Sequence, residues 1–378
     1  MDRKQLINAL IVLVILGVLS FFTFKKNLSS WKRGDDVEKA KLLKNFDVNK
    51  VAKFAITTDS DSLELKKNND GKWCVSERSN YPVNFEKLSN FLLTLAEVDV
   101  VQYPRLLKSQ FPSLKLVVPE KGKKNSEAGS LLTLSDKEGN TLLSLLIGDL
   151  HIPKQTDPSS FQAVRPDGCY VIKDGSGEVA LINNPLSTVN PDPKKWIDKT
   201  FISLPDILSV SLSGSDGKEL WTIYRSKVNA PWALKGLKKG DKPLPRPMMD
   251  ATSTFANIAF DDVAPIGDLD FKNAQTVTIK TQRGLIYTIK LMKKEKNFIA
   301  KCAVSFKVQA DADSKKKADP KDAEKRAAAL AKKKTELEQA VKKESFYTHW
   351  IYTFPKYKVE KILKTRKELY RPATPDSI

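Results

Sequence analysis

The residues that most often do chemistry are scarce in this chain. It has two histidines, His151 and His349, and three cysteines, Cys74, Cys169 and Cys302. A protein metal site draws on His, Cys or carboxylate ligands at short, regular spacing, and neither histidine has such neighbours. His151 precedes Ile152-Pro153, a loop signal, and His349 falls inside an aromatic run, so each reads as structural or solvated. Asp261-Asp262 offers two adjacent carboxylates for acid–base work, but sequence neighbours on a strand point to opposite faces. Gly236-Leu237-Lys238-Lys239-Gly240-Asp241-Lys242 lacks the spacing of a phosphate loop and reads as a turn. No G-x-S-x-G or H-E-x-x-H pattern occurs. Three scattered cysteines leave two readings open: one disulfide, if the chain is extracytoplasmic, or three buried thiols. No catalytic, cofactor-binding or metal-ligating residue is therefore expected.

The rest of the chain concerns positioning. Its 378 residues suggest two domains. A mean hydropathy of −0.36 excludes a polytopic membrane protein. Lys+Arg number 64 against 45 Asp+Glu, a net charge of +19. An uncharged run from Leu6 to Phe24 would span about 28 Å as a helix, close to a hydrocarbon core. Leu6, Ile7, Leu10, Leu13, Leu16, Leu19, Phe22 and Phe24 supply its apolar surface, and Lys25-Lys26 end it. With no small-x-small site after it, the run predicts a retained membrane anchor rather than a cleaved signal peptide. Basic residues flank it on both sides (Arg3 and Lys4; Lys25, Lys26, Lys32 and Arg33), so the flanks do not decide orientation.

Two stretches then share an order of features. Val51–Ile56 and Leu208–Ser213 alternate with period two, as half-buried strands do. Each is followed by a polar turn, a second strand, a tryptophan strand (Trp73-Cys74-Val75; Trp232-Ala233-Leu234) and a proline segment. Next come helical spacings, Leu88, Phe91, Leu92 and Leu95 in one copy, Met248, Met249, Thr252, Phe255 and Ile258 or Ala259 in the other. Asn84 is the expected N-cap of the first helix. Asp99-Val100 and Asp262-Val263 begin a further strand in each copy. The gap from Leu134 to Gly139 equals that from Ile279 to Gly284. The expectation is α+β: two tandem units of antiparallel sheet, each with a covering helix.

Beyond the second copy, composition collapses to Ala, Lys, Glu and Asp, and a long, largely solvated helix is predicted from Asp319-Pro320 to about Lys343. Lys332-Lys333-Lys334 reads as the wet face of that helix, and nucleic-acid binding is not expected. An aromatic strand follows, Phe346 to Tyr357. It completes a sheet, or else its Trp350, Tyr352 and Tyr357 form a candidate interaction surface.

The predicted organisation is thus a membrane anchor and juxtamembrane segment (1–34), a first unit (35–190), a linker (191–206), a second unit (207–310), the charged helix (311–345) and the aromatic strand with a basic tail (346–378). Gly71–Val75, Tyr81-Pro82-Val83-Asn84, Leu146-Ile147-Gly148-Asp149, Trp196-Ile197-Asp198-Lys199 and the closing Trp350-Ile351-Tyr352 carry a resemblance over nearly the whole chain. It resembles the bacterial "domain of unknown function 4340" family. That resemblance implies a single-pass inner-membrane protein with its C-terminal bulk in the periplasm, and permease and ATPase partners of a gliding-motility-type ABC transporter. It assigns no catalytic residue. The function expected from it is a non-enzymatic accessory or scaffold of the cell envelope. The alternative is a module binding a polyanion, either a cell-wall polymer or anionic lipid, through the +19 charge. An uncharacterised hydrolase is the outlying reading.

Overall fold

The computed structural model describes residues 40–153, 165–202, 204–254, 258–308 and 320–373. Along the chain, β1 (Ala40–Lys41), β2 (Lys53–Thr57), β3 (Ser62–Lys67), β4 (Trp73–Val75) and β5 (Tyr81–Pro82) precede helix α1 (Phe85–Glu97). β6 (Asp99–Gln102), β7 (Ser130–Ser135), β8 (Thr141–His151), β9 (Gly168–Lys173) and β10 (Val179–Ile182) follow. β11 (Ile207–Ser213), β12 (Glu219–Tyr224), β13 (Ala233–Leu234) and β14 (Lys242–Pro243) lead to α2 (Pro245–Ser253). β15 (Asp262–Pro265), β16 (Gln275–Thr281), β17 (Leu285–Lys294) and β18 (Asn297–Phe306) lead to α3 (Pro320–Glu344). β19 (Trp350–Pro355), the short α4 (Lys356–Val359) and β20 (Tyr370–Arg371) close the sequence of elements.

The α+β expectation is corrected by this inventory. Antiparallel sheet dominates the described residues and helices are few. The physical reason is the reach of the period-two alternation, which recurs from strand to strand and runs through most of the ten residues of β17, whereas α1 has thirteen residues and α2 only nine. Pro245 and Pro247 start α2, and the Thr252 and Thr254 hydroxyls donate to the carbonyls of Met248 and Asp250 near its end. Phe255, expected on the same helix, and Asp319, expected to begin α3, lie outside the described residues.

The membrane expectation is corrected as well. Leu6–Phe24, with all the anchor residues named above, lies outside the described residues. Among the described residues no helix is long and apolar enough to cross a membrane. The long helix, α3, is built from Ala, Lys and Glu, and charged side chains are costly in hydrocarbon. A single-pass inner-membrane placement, with the membrane, envelope and transporter attributes that depend on it, is not supported.

The chain divides into two compact units that are not contiguous in sequence. One comprises the described part of Met1–Ser62 with Leu88–Pro191; the other comprises Leu63–Lys87 and Asp192–Ile378. In the first unit the antiparallel order is β1-β6-β10-β9-β8-β7-β2. Leu88, Phe91, Leu92 and Leu95 of α1 are buried, and the Phe91 ring meets Phe54 edge-on at 5.6 Å. Asn84 caps the helix by accepting from the Lys87 backbone N–H at 2.9 Å.

In the second unit the order is β13-β12-β11-β16-β17-β18-β19-β15, with β3-β4-β5 as an antiparallel meander and β14-β20 as a two-stranded ribbon. The run β6-β10-β9-β8-β7-β2 of the first unit and the run β15-β19-β18-β17-β16-β11 of the second are the same topology, strand for strand. One join differs. A tight turn connects β9 to β10, while the connection from β18 to β19 contains α3.

Candidate functional site, a lysine-lined cleft

The outer face of the second unit's sheet carries a cleft of about 550 Å³. Its floor follows from the strand register. Lys294 pairs with Asn297, Ile299 with Thr353, and Thr353 with Asp262, and directly opposed residues share a face. Ile299 anchors this floor in a small apolar cluster with Phe271, Ala274 and Ile351.

The cleft's second wall is the linker around Trp196. Asp192 begins it by accepting the Lys194 backbone N–H at 3.0 Å, and Pro193 pre-sets the single 3₁₀ turn Pro193–Lys195. Trp196 is fully buried. The segment after β5 holds the linker in place: Val83 bridges Ile197, Asn84 N–H donates to Trp196 O at 2.7 Å, and Asp198 N–H donates to Pro82 O at 2.9 Å. Lys194, Lys195 and Lys199 of this segment line the cleft together with Lys294 at the end of β17 and Glu295 of the β17–β18 turn.

The charges here are unevenly committed. The Arg78 guanidinium grips Asp262 with both ends of its fork, at 2.6 and 3.0 Å. Lys194 reaches the same carboxylate only at 3.8 Å. Among the described residues, the ammonium groups of Lys195, Lys199 and Lys294 have no ion-pair partner, nor do the carboxylates of Asp261 and Glu295. The local field is felt at Lys87, whose Nζ donates to Lys195 O at 2.8 Å and lies over the Trp196 ring. Burial holds the Lys87 ammonium below its usual range, and the neighbouring Lys195 and Lys199 charges push the same way.

The positive charge continues along the same sheet face. Lys290 stands directly opposite Lys301 on the adjacent strand, in line with Lys294. Like charges so placed repel. Lys301 lies over the Phe271 ring, and Lys290 has no partner among the described residues. The wider sequence agrees: residues 281–378 hold 25 Lys+Arg against 12 Asp+Glu, while residues 1–191 hold 26 against 22.

The aromatic residues named from sequence do not meet in one surface. Tyr352 is fully buried, ringed by Phe201 and Phe260 at 4.6 and 4.9 Å. Trp350 packs edge-on against Tyr81 at 4.9 Å. Tyr357 is exposed on the short helical turn that follows β19. The aromatic run is itself broken: Ser345–His349 form a 3₁₀ turn, and the strand begins at Trp350. It lies inside the sheet, between β18 and β15.

The other chemically able residues are dispersed. The three cysteines are free and buried. Desolvation pushes the Cys169 and Cys302 thiols up to about 12. His151 Nδ1 lies 2.7 Å from Asp167 Oδ1 in the first unit, and His349 is exposed at the end of its 3₁₀ turn. Asp261 and Asp262 both line the cleft, so the pair read as facing opposite ways opens on one cavity. Asp261 stands just before β15, where strict strand alternation does not yet apply. The cleft lysines carry no sequence motif. Only the density of Lys in the linker and at the β17–β18 turn could have drawn attention to them.

No protein-family model, no curated protein and no solved structure matches the chain.

Proposed function

We propose that the second unit is a non-enzymatic binding module for polyanions, and that the lysine-lined cleft is where the polymer seats. One observation carries this reading. Among the described residues, Lys195, Lys199 and Lys294 line one cavity without ion-pair partners, while the Asp262 carboxylate in the same lining is already held by Arg78. Lys290 and Lys301 extend the track, and an anion laid across them relieves their mutual repulsion.

Retention of the full-length chain on immobilised polyphosphate, measured across a salt series, tests the proposal. Neutralised polymer charges release counterions, so affinity falls steeply with salt, with a slope of roughly 0.7–0.9 per contact in logarithmic units for nucleic acids. Replacing Lys195, Lys199 and Lys294 together by Gln should flatten that slope by about two to three. Salt-independent retention, or a slope untouched by the triple change, would refute the reading.

A further inference from the structure

The cleft also contains two carboxylates that a plain polyanion has no use for. Asp261 is half-buried, its position fixed by a 2.8 Å bond from its own N–H to Thr353 O, and its carboxylate has no partner among the described residues. Glu295, exposed in the β17–β18 turn, lines the same cleft with φ near 54°, the left-handed region that Gly or Asn occupies with less strain. Asn297 and Thr353 add neutral hydrogen-bonding groups to the floor. Among the described residues, none that lines the cleft is aromatic.

We infer that the ligand is a hydroxyl-bearing acidic polysaccharide. This rests on the polyanion reading above and narrows it. Ionised Asp and Glu only accept hydrogen bonds, so a ligand that bonds Asp261 and Glu295 directly must bring donors. Sugar hydroxyls supply them, between acidic groups that pair with Lys195, Lys199 and Lys294. A polyphosphate offers no donors and is repelled by both carboxylates. Single-stranded nucleic acid gains much of its affinity from bases stacking on aromatic side chains, and the described cleft presents none.

The test compares retention of the full-length chain on polygalacturonate, polyphosphate and a single-stranded oligodeoxynucleotide at matched salt, with Asp261→Asn beside the parent. Asn keeps the size of Asp and removes the charge; an unchanged far-UV spectrum verifies the fold. The expected result is a polygalacturonate affinity about tenfold weaker in Asp261→Asn, with polyphosphate retention equal or stronger. If Asp261→Asn binds both polymers more tightly, the carboxylate is only a repulsive charge and the polysaccharide inference is overturned, while the polyanion reading stands. The polysaccharide inference falls equally if the parent prefers polyphosphate or the oligonucleotide to polygalacturonate. If the parent retains none of the three, both readings fall.

Discussion

Asp262→Asn separates the two roles of the cleft's best-committed carboxylate. Both partners of the Arg78–Asp262 pair are about one-fifth exposed, with side-chain accessibilities of 21% each. At an effective dielectric near 20 and a charge separation of ~4 Å, the gross attraction is about 4 kcal/mol. Desolvation offsets much of that. Charge-assisted hydrogen bonds retain roughly 1.5–3 kcal/mol in mutational series, and Asn leaves one guanidinium N–H facing an amide NH2 group, which cannot accept, so a loss of about 2 kcal/mol is expected. For a unit of roughly 200 residues this lowers Tm by about 4–8 °C. The assay is thermal unfolding followed by circular dichroism, in a cycle with Arg78→Met and the double variant. A coupling energy below about 0.3 kcal/mol, with Tm unmoved, would refute the view that this ion pair holds Leu63–Lys87 to β15. The same variant has an opposite effect on binding. It removes a negative charge from the cavity and frees Lys194 from its one ion-pair partner among the described residues there, so polyphosphate retention should rise as stability falls.

The remaining predictions use groups elsewhere in the protein. Glu344, at the C-terminal end of α3, has a buried Oε2 without a hydrogen-bond partner among the described residues; burial raises its pKa, opposed by Arg283 and Lys343. The folded state therefore binds the proton more tightly than the unfolded chain, so stability should fall as pH rises from the ordinary carboxylate range through the raised pKa. Glu344→Gln should flatten that dependence in denaturant titrations at pH 4–8. The Tyr352 hydroxyl is buried beside that of Tyr81 without completing a well-formed hydrogen bond, so Tyr352→Phe should leave stability unchanged or raise it by up to ~1 kcal/mol. A loss above ~1 kcal/mol in chemical denaturation would show that the hydroxyl is satisfied after all. Finally, Cys74, Cys169 and Cys302 should resist a thiol reagent at pH 8 in the native protein and all react after denaturation.

Local structure was the most legible part of the fold. Leu134 to Gly139 and Ile279 to Gly284 mark corresponding hairpin turns because both glycines sit at positive φ, 92° and 101°, where a side chain is strained. Alternation located the strands, and the spacing of Leu88, Phe91, Leu92 and Leu95 located α1 with its Asn84 cap. Alternation also shows which face of a strand is apolar. It does not show what covers that face, and there the α+β expectation went wrong. Nor does order along the chain reveal that Leu63–Lys87 groups with residues beyond Asp192, since the tie depends on Arg78 reaching a carboxylate 184 positions away.

The same limit explains why the cleft was not legible. The sequence shows an excess of lysine but not which lysines are paired. In the first unit, Lys115 has Asp149 at 2.9 Å and Lys41 has Asp99 at 3.2 Å. In the second unit, Lys235 and Lys356 are likewise paired with Glu219 and Glu360. Exposed pairs of this kind contribute little to stability, but they cancel charge locally. Lys195, Lys199 and Lys294 are distinguished by what surrounds them: Asp262 is taken by Arg78, and Asp192 is engaged as the cap of its own turn. A net charge of +19 thus becomes informative only when the register of β15, β18 and β19 places Asp261, Asp262, Asn297 and Thr353 around one cavity. In the proposed function, long-range attraction would bring a polyanion near, and the carboxylates of Asp261 and Glu295 would then discriminate among polymers.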